Sequence, residues 1–294
     1  MRNLHYKIKT LCIASIGCSL ISFISCSNHT YRGLITWEQY SSLSYHGPYI
    51  LEFKSDRGSL VYYGAIHSMN PGDPQFSDIE KKWEEFQPTL AFSEGGIWPL
   101  AKSREDAIRK YGEQGILRFL SNRDGISIQS IEPDMRREAL HLSKYFPSDL
   151  VKVFYILRQA YIHRRMMKDI NDCRYADTIL NELSKIKHFK HTPGSLADFE
   201  EMVSRLFPEL QDWKYVPRSW FSSKKSERWT NEMCRVVNDF RNQHMLEILI
   251  RELKKGKKIF CVVGRSHVVM QEPVLFSVVT NQLGGKINRV ECSS

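Results

Sequence analysis

From about residue 48 to residue 292, short apolar runs that stop at turn residues alternate with longer stretches of helical spacing. That is the pattern of an α/β fold. Residues 49–53 and 60–66 read as two strands joined by the turn Ser55-Asp56-Arg57-Gly58, a hairpin. A helix is expected over 77–86, with Ser77 as N-cap, Glu80 completing a capping box and Pro88 stopping it. The run 89–93 is a short strand, 103–120 has helical spacing interrupted by Gly112 and Gly115, and 126–131 alternates as a strand up to Glu132-Pro133.

Beyond Pro133 the pattern becomes helical as far as residue 188, with a break at Pro147-Ser148-Asp149. Leu150, Val153, Phe154, Leu157 and Tyr161 mark one buried face. A short helix over 196–207 sits between Pro- and Trp-containing connections, so residues 135–225 read as a helical insertion on the α/β body. A helix over 227–254 follows, capped by Gly256. The uninterrupted run Ile259-Phe260-Cys261-Val262-Val263 should be a central strand covered on both faces. Residues 271–283 are partly helical and 286–292 form a last strand. The expected fold is a mixed, mostly parallel sheet flanked by helices.

Composition supports one such body. With 294 residues, 42% hydrophobic and 26% charged, the chain is neither disordered, collagen-like nor a multi-span membrane protein. The net charge of +9 raises a nucleic-acid reading. Yet Arg2, Lys7 and Lys9 precede residues 11–24, which carry no charge, a basic and then an apolar region of signal-peptide length. The sequence Phe23-Ile24-Ser25-Cys26 resembles a bacterial lipobox, whose Cys accepts a lipid and becomes the mature N-terminus. Cleavage at Cys18, ordinary secretory cleavage and a retained anchor are the other readings. We expect a leader over 1–25, a lipidated Cys26, a linker over 26–47 and a place in the bacterial cell envelope, facing away from the cytoplasm. The leader takes three of the nine excess charges with it, and the remaining basic groups are scattered, so no nucleic-acid partner is expected. Cys261 reads as core, and a disulfide among Cys173, Cys234 and Cys292 stays open.

Three strands end on residues able to do chemistry. Val61-Tyr62-Tyr63 runs into Gly64-Ala65-Ile66-His67, Leu90-Ala91-Phe92-Ser93 into Glu94-Gly95-Gly96, and Phe260-Cys261-Val262-Val263 into Gly264-Arg265-Ser266-His267. Gly64 and Gly264 allow a sharp exit from the strand and close backbone approach. The carboxyl ends of parallel strands share one edge, so His67, Glu94 and His267 should meet in one cleft, and Glu132 can join them. Each has a plainer reading: a structural or surface His, a charged turn at Glu94, a helix-entry residue at Glu132, a solvent-facing helix charge at Arg241.

The ordered set Gly64/His67, Glu94, Arg241-Asn242 and Gly264/His267 resembles the TraB/Tiki (PrgY, GumN) family, within the broader erythromycin-esterase and ChaN-like superfamily. The resemblance implies an α/β fold with a shared polar cleft and, in the Tiki branch, a divalent-metal-dependent protease. His67, His267 and Glu94 would then hold Mn²⁺, Co²⁺ or Zn²⁺, with Glu94 or Glu132 taking a proton from bound water. Arg241 would orient Glu94 or stabilise an oxyanion. Ala65 stands where the erythromycin-esterase branch has an acidic residue, so that branch's metal-free chemistry does not carry over. Arg265 and Gln271-Glu272-Pro273 also depart from the small-residue continuation of TraB proteins. The chain lacks a Gly-x-Ser-x-Gly elbow, an HExxH helix and a Walker loop.

The leading expectation is thus a membrane-anchored metal-dependent hydrolase acting on a peptide or small molecule. A haem-binding ChaN-like lipoprotein and a catalytically inactive α/β scaffold compete with it.

Overall fold

The computed structural model describes residues 31–166, 171, 173–189 and 193–290. The expected leader, Cys26 and Cys292 lie outside them. Helix α1 (Trp37–Ser42) precedes the hairpin of β1 (Tyr49–Ser55) and β2 (Gly58–Ala65), which pair antiparallel from Tyr49↔Gly64 to Ser55↔Gly58. Then come α2 (Pro74–Phe86), β3 (Leu90–Ser93), α3 (Arg104–Arg123) and β4 (Ile128–Ser130). Helix α2 starts earlier than expected. Asp73, not Ser77, is its N-cap, accepting from the Gln75 N–H, and Pro74 fills the first helical position, where its missing donor costs nothing.

The chain then leaves the sheet for α4 (Met135–Leu142), α5 (Ser148–Met166), α6 (Arg174–Ser184) and α7 (Leu196–Leu206). It returns through α8 (Trp229–Lys254) to β5 (Lys258–Gly264), α9 (Arg265–Val278) and β6 (Lys286–Val290). The six described strands form one sheet in the order β4-β3-β5-β2-β1-β6. Pairings among β4, β3, β5 and β2 are parallel, and those of β1 with β2 and β6 are antiparallel. The fold is α/β and mixed, with β5 central as its unbroken apolar run predicts.

Alternate residues of each strand face opposite layers. Leu51, Tyr62, Phe92, Cys261 and Val263 pack under α8 and α9, while Val61, Tyr63, Ala91, Phe260 and Val262 pack on α2 and α3. The insertion has its own core, in which Phe154, Leu157, Leu180 and Phe199 meet Met233 and Val237 from the first half of α8. The second half of α8 supplies Met245, Leu246 and Leu249 to the sheet core, so this one helix ties the two cores together. Cys234 and Cys261 are buried without a disulfide, and burial pushes both thiols up.

Helix α9 begins at Arg265, immediately after β5, rather than near residue 271. Val268, Val269 and Met270 are buried in succession, so the apolar residues here run together instead of recurring at helical spacing. Among the described residues, no helix is long and apolar enough to cross a membrane.

Candidate functional site

Strand register brings the motif residues to one edge. Ser130 lies beside Ser93, Ser93 beside Val262 and Val263 beside Gly64. Four neighbouring parallel strands therefore deliver Glu132, Glu94, His267 and His67 to the same carboxyl edge, where α/β sheets bind ligands. Gly64 is needed for this convergence. A Cβ there would lie 2.7 Å from the Tyr49 carbonyl oxygen and 3.0 Å from Arg265 Cα, so a larger residue would push the start of α9 away.

His267 lies in the first turn of α9, not on a strand end, and is buried. Burial lowers its pKa against the attraction of Glu94, so the ring is neutral at neutral pH. Its Nδ1 is 2.7 Å from Asn242 Oδ1 on α8. A proton on Nδ1 donated to that oxygen leaves a lone pair on Nε2, which lies 3.9 Å from Glu94 Oε1, beyond hydrogen-bond reach. Asn242 Oδ1 also accepts from Gln271 Nε2 at 2.8 Å, and Gln271 Oε1 accepts from the buried Tyr62 hydroxyl at 3.0 Å. This fully buried chain fixes the orientation of the imidazole.

Glu94 follows β3 directly. Its Oε2 accepts the Gly264 N–H at 2.5 Å, at the positive end of α9. Burial works against its charge, but the charged His67, the Gly264 N–H and Arg241 outweigh it and hold its pKa below the ordinary range. Gly264 thus serves Glu94 through its backbone donor, and the ideal Cβ position there lies 3.3 Å from Glu94 Oε2 and 3.4 Å from His67 Nε2.

Glu132 enters the cleft from beyond β4. Its Oε2 accepts the Gly95 N–H at 2.9 Å, and its buried Oε1 has no hydrogen bond, although Arg241 Nη1 stands 3.0 Å away. Burial raises its pKa, with Glu94 adding to the effect and Arg241 opposing it. Of the two roles expected for Arg241, orienting Glu94 or stabilising an oxyanion, the first is not seen. Its Nε and Nη2 donate to Glu138 at 2.5 and 3.1 Å, and Tyr155 donates to the same carboxylate at 3.0 Å. With its fork taken by Glu138 on α4, Arg241 positions Glu132 and reaches Glu94 only through longer-range attraction.

His67 differs from its counterpart. Its side chain is 51% exposed, and its Nδ1 sits 2.5 Å from Oε1 of the buried Glu113. That hydrogen bond outweighs burial and pushes the His67 pKa up to about 9. Glu113 reaches it because α3 is interrupted at Gly112, where φ 59° and ψ −138° turn the backbone past the Ser68 carbonyl. A Cβ at Gly112 would stand 2.6 Å from that oxygen.

One donor atom from each of Glu94, Glu132 and His267 lies within 4.8 Å of the others. Two carboxylate oxygens and an imidazole nitrogen fit a borderline divalent cation such as Mn²⁺, Co²⁺ or Zn²⁺. Glu132 Oε1, which makes an ion pair with Arg241 but no hydrogen bond, is what such an ion would satisfy. His67, expected among the ligands, stands outside this compact set. No family model matches the chain, and no curated protein or solved structure does. The TraB/Tiki resemblance therefore rests on the motif residues themselves.

Sequence reasoning gave no role in the site to Glu113, Glu138, Tyr155 and Gln271. Gly112 is the one local signal for Glu113, since a glycine inside a helical stretch marks a break. The others come from α4, α5 and α9, and only tertiary packing brings them in. Above the edge, α5 and α6 wall a cleft of about 910 Å³ that reaches down to His67, Glu132 and Arg241.

Proposed function

We propose that this chain is a divalent-metal-dependent hydrolase acting on peptides, exported and held at a bacterial membrane through a lipid on Cys26. One observation carries the catalytic part: the two Gly-x-x-His motifs, 200 residues apart, converge around Glu94, one His neutral with Nε2 open and the other charged. The export part is supported by the charge-free stretch 11–24 and the lipobox-like Phe23-Ile24-Ser25-Cys26.

Glu94, Glu132 and His267 are the residues that would hold the ion. When bound, it would polarise a carbonyl and acidify a water molecule. Glu94 stays ionised, held by the Gly264 N–H, and Asn242 keeps the His267 lone pair forward. Arg241 and the Gly95 N–H fix the Glu132 carboxylate. His67 carries a proton at Nε2, with Glu113 orienting the ring, and so is placed to protonate a leaving amine. The assignment differs from the sequence expectation, in which His67 was a ligand.

The test is metal uptake by the purified full-length chain, followed by digestion of a mixed peptide library with and without Mn²⁺, Co²⁺ or Zn²⁺. Metal-stimulated cleavage that disappears in Glu94→Gln supports the reading. A chain that takes up none of these ions contradicts it, and a Soret band on haem addition would favour the haem-binding alternative.

A further inference from the structure

Two arginines on α5 face the cleft without a bonded partner. Arg158 and Arg165 both line it, and neither forms a salt bridge or hydrogen bond with a described residue. They are seven residues apart, two turns of one helix face, and about 10 Å apart along the axis. Arg158 acts electrostatically on Glu132, and Arg165 on His67, without pairing with either. A third unpaired donor, the buried Trp98 indole N–H, lies beside Gly95 in the lining of the same cleft.

Other arginines close to the cleft are matched, whereas Arg158 is half-buried and Arg165 exposed at its mouth. Arg241 has Glu132 and Glu138, and Arg164 on the same helix donates to the Lys214 and Val216 carbonyls at 2.9 and 3.0 Å. Leaving two guanidinium groups unmatched at the mouth of an acid-floored site makes sense when the occupant brings the anion. The planar fork of Arg pairs bidentately with a carboxylate. A spacing of about 10 Å corresponds to roughly three extended residues, so the two cations would be met one at a time along a peptide rather than converging on one multiply charged group.

We propose that the cleft selects peptides carrying a carboxylate, read by Arg158 and Arg165, with the scissile bond over Glu94 and Glu132. The placement of the scissile bond rests on the hydrolase reading, whereas the selection of anions does not. The carboxylate can be a free C-terminus or an Asp or Glu side chain, and both present the same group to the guanidinium.

Titration calorimetry on the full-length protein tests this with three probes: acetyl-tetraalanine with a free C-terminus, its C-terminal amide, and an amidated analogue bearing one internal Glu. Wild type should bind one or both acids about ten- to a hundredfold more tightly than the amide, the range of a charge-assisted hydrogen bond. A free-acid preference alone assigns the C-terminal carboxylate, and a preference for the Glu peptide alone assigns the side chain. Arg158→Gln and Arg165→Gln should each reduce the preference, and the double variant should erase it. Because neither side chain has a protein partner, both variants should keep the wild-type melting temperature. Equal binding of all three probes, no binding of any, or a preference that survives the double substitution would overturn the proposal. If the peptides bind selectively but are never cleaved, the hydrolase reading fails and the anion selection stands.

Discussion

His67 and His267 leave neighbouring parallel strands by the same Gly-x-x-His step, yet they end in opposite electrostatic states. His267 is buried, neutral and hydrogen-bonded to an amide oxygen, with a carboxylate beyond its free nitrogen. His67 is half exposed and clamped by a carboxylate that favours its charged form. Neighbours brought by helices produce the difference, Asn242 from α8 in one case and Glu113 from the broken α3 in the other. A repeated motif therefore fixes where a side chain emerges, while the helix packed beside it decides whether that side chain offers a lone pair or a proton.

The largest effect expected is that of His267→Ala, which should abolish metal-stimulated hydrolysis, because it removes the only nitrogen from the compact donor set. His67→Ala should lower kcat by about 10²- to 10⁴-fold, the usual contribution of a general acid, with little change in metal affinity. Equal loss of metal in the two variants would erase the contrast between them. Asn242→Ala should weaken metal binding by about 10- to 100-fold, as loss of an orienting partner does. It should also cost about 1–3 kcal/mol of stability in urea unfolding, since His267 and Gln271 would lose their shared acceptor.

The smallest effect is a titration. In metal-free protein the ring resonances of His67 should titrate near pH 9, and Glu113→Gln should bring them back toward the ordinary value of 6.5. Because the folded-state pKa is raised, the stability gained from this pair is complete below pH 6.5 and is lost as pH rises through about 9. A His67 pKa unchanged by Glu113→Gln would mean that the carboxylate does not set its charge.

The strand ends were legible because an apolar run followed by glycine is a local signal, and β5 announced its central place by having no polar residue from Ile259 to Val263. The insertion was legible for a similar reason, its apolar positions keeping helical spacing. The partners were not. Glu138 and Tyr155 reach Arg241 from α4 and α5, more than 80 residues away along the chain, and nothing local distinguishes Glu138 from an exposed helix acid. The start of α9 was missed because Val268, Val269 and Met270 are buried in succession and show no helical period, and that of α2 because Asp73-Pro74 was passed over in favour of Ser77.

Metal content measured side by side in the purified wild type, His67→Ala and His267→Ala tests the central claim most directly. The geometry predicts an equimolar divalent ion in the wild type and in His67→Ala, and almost none in His267→Ala. A wild type that holds no ion, or the same loss in both variants, would contradict it.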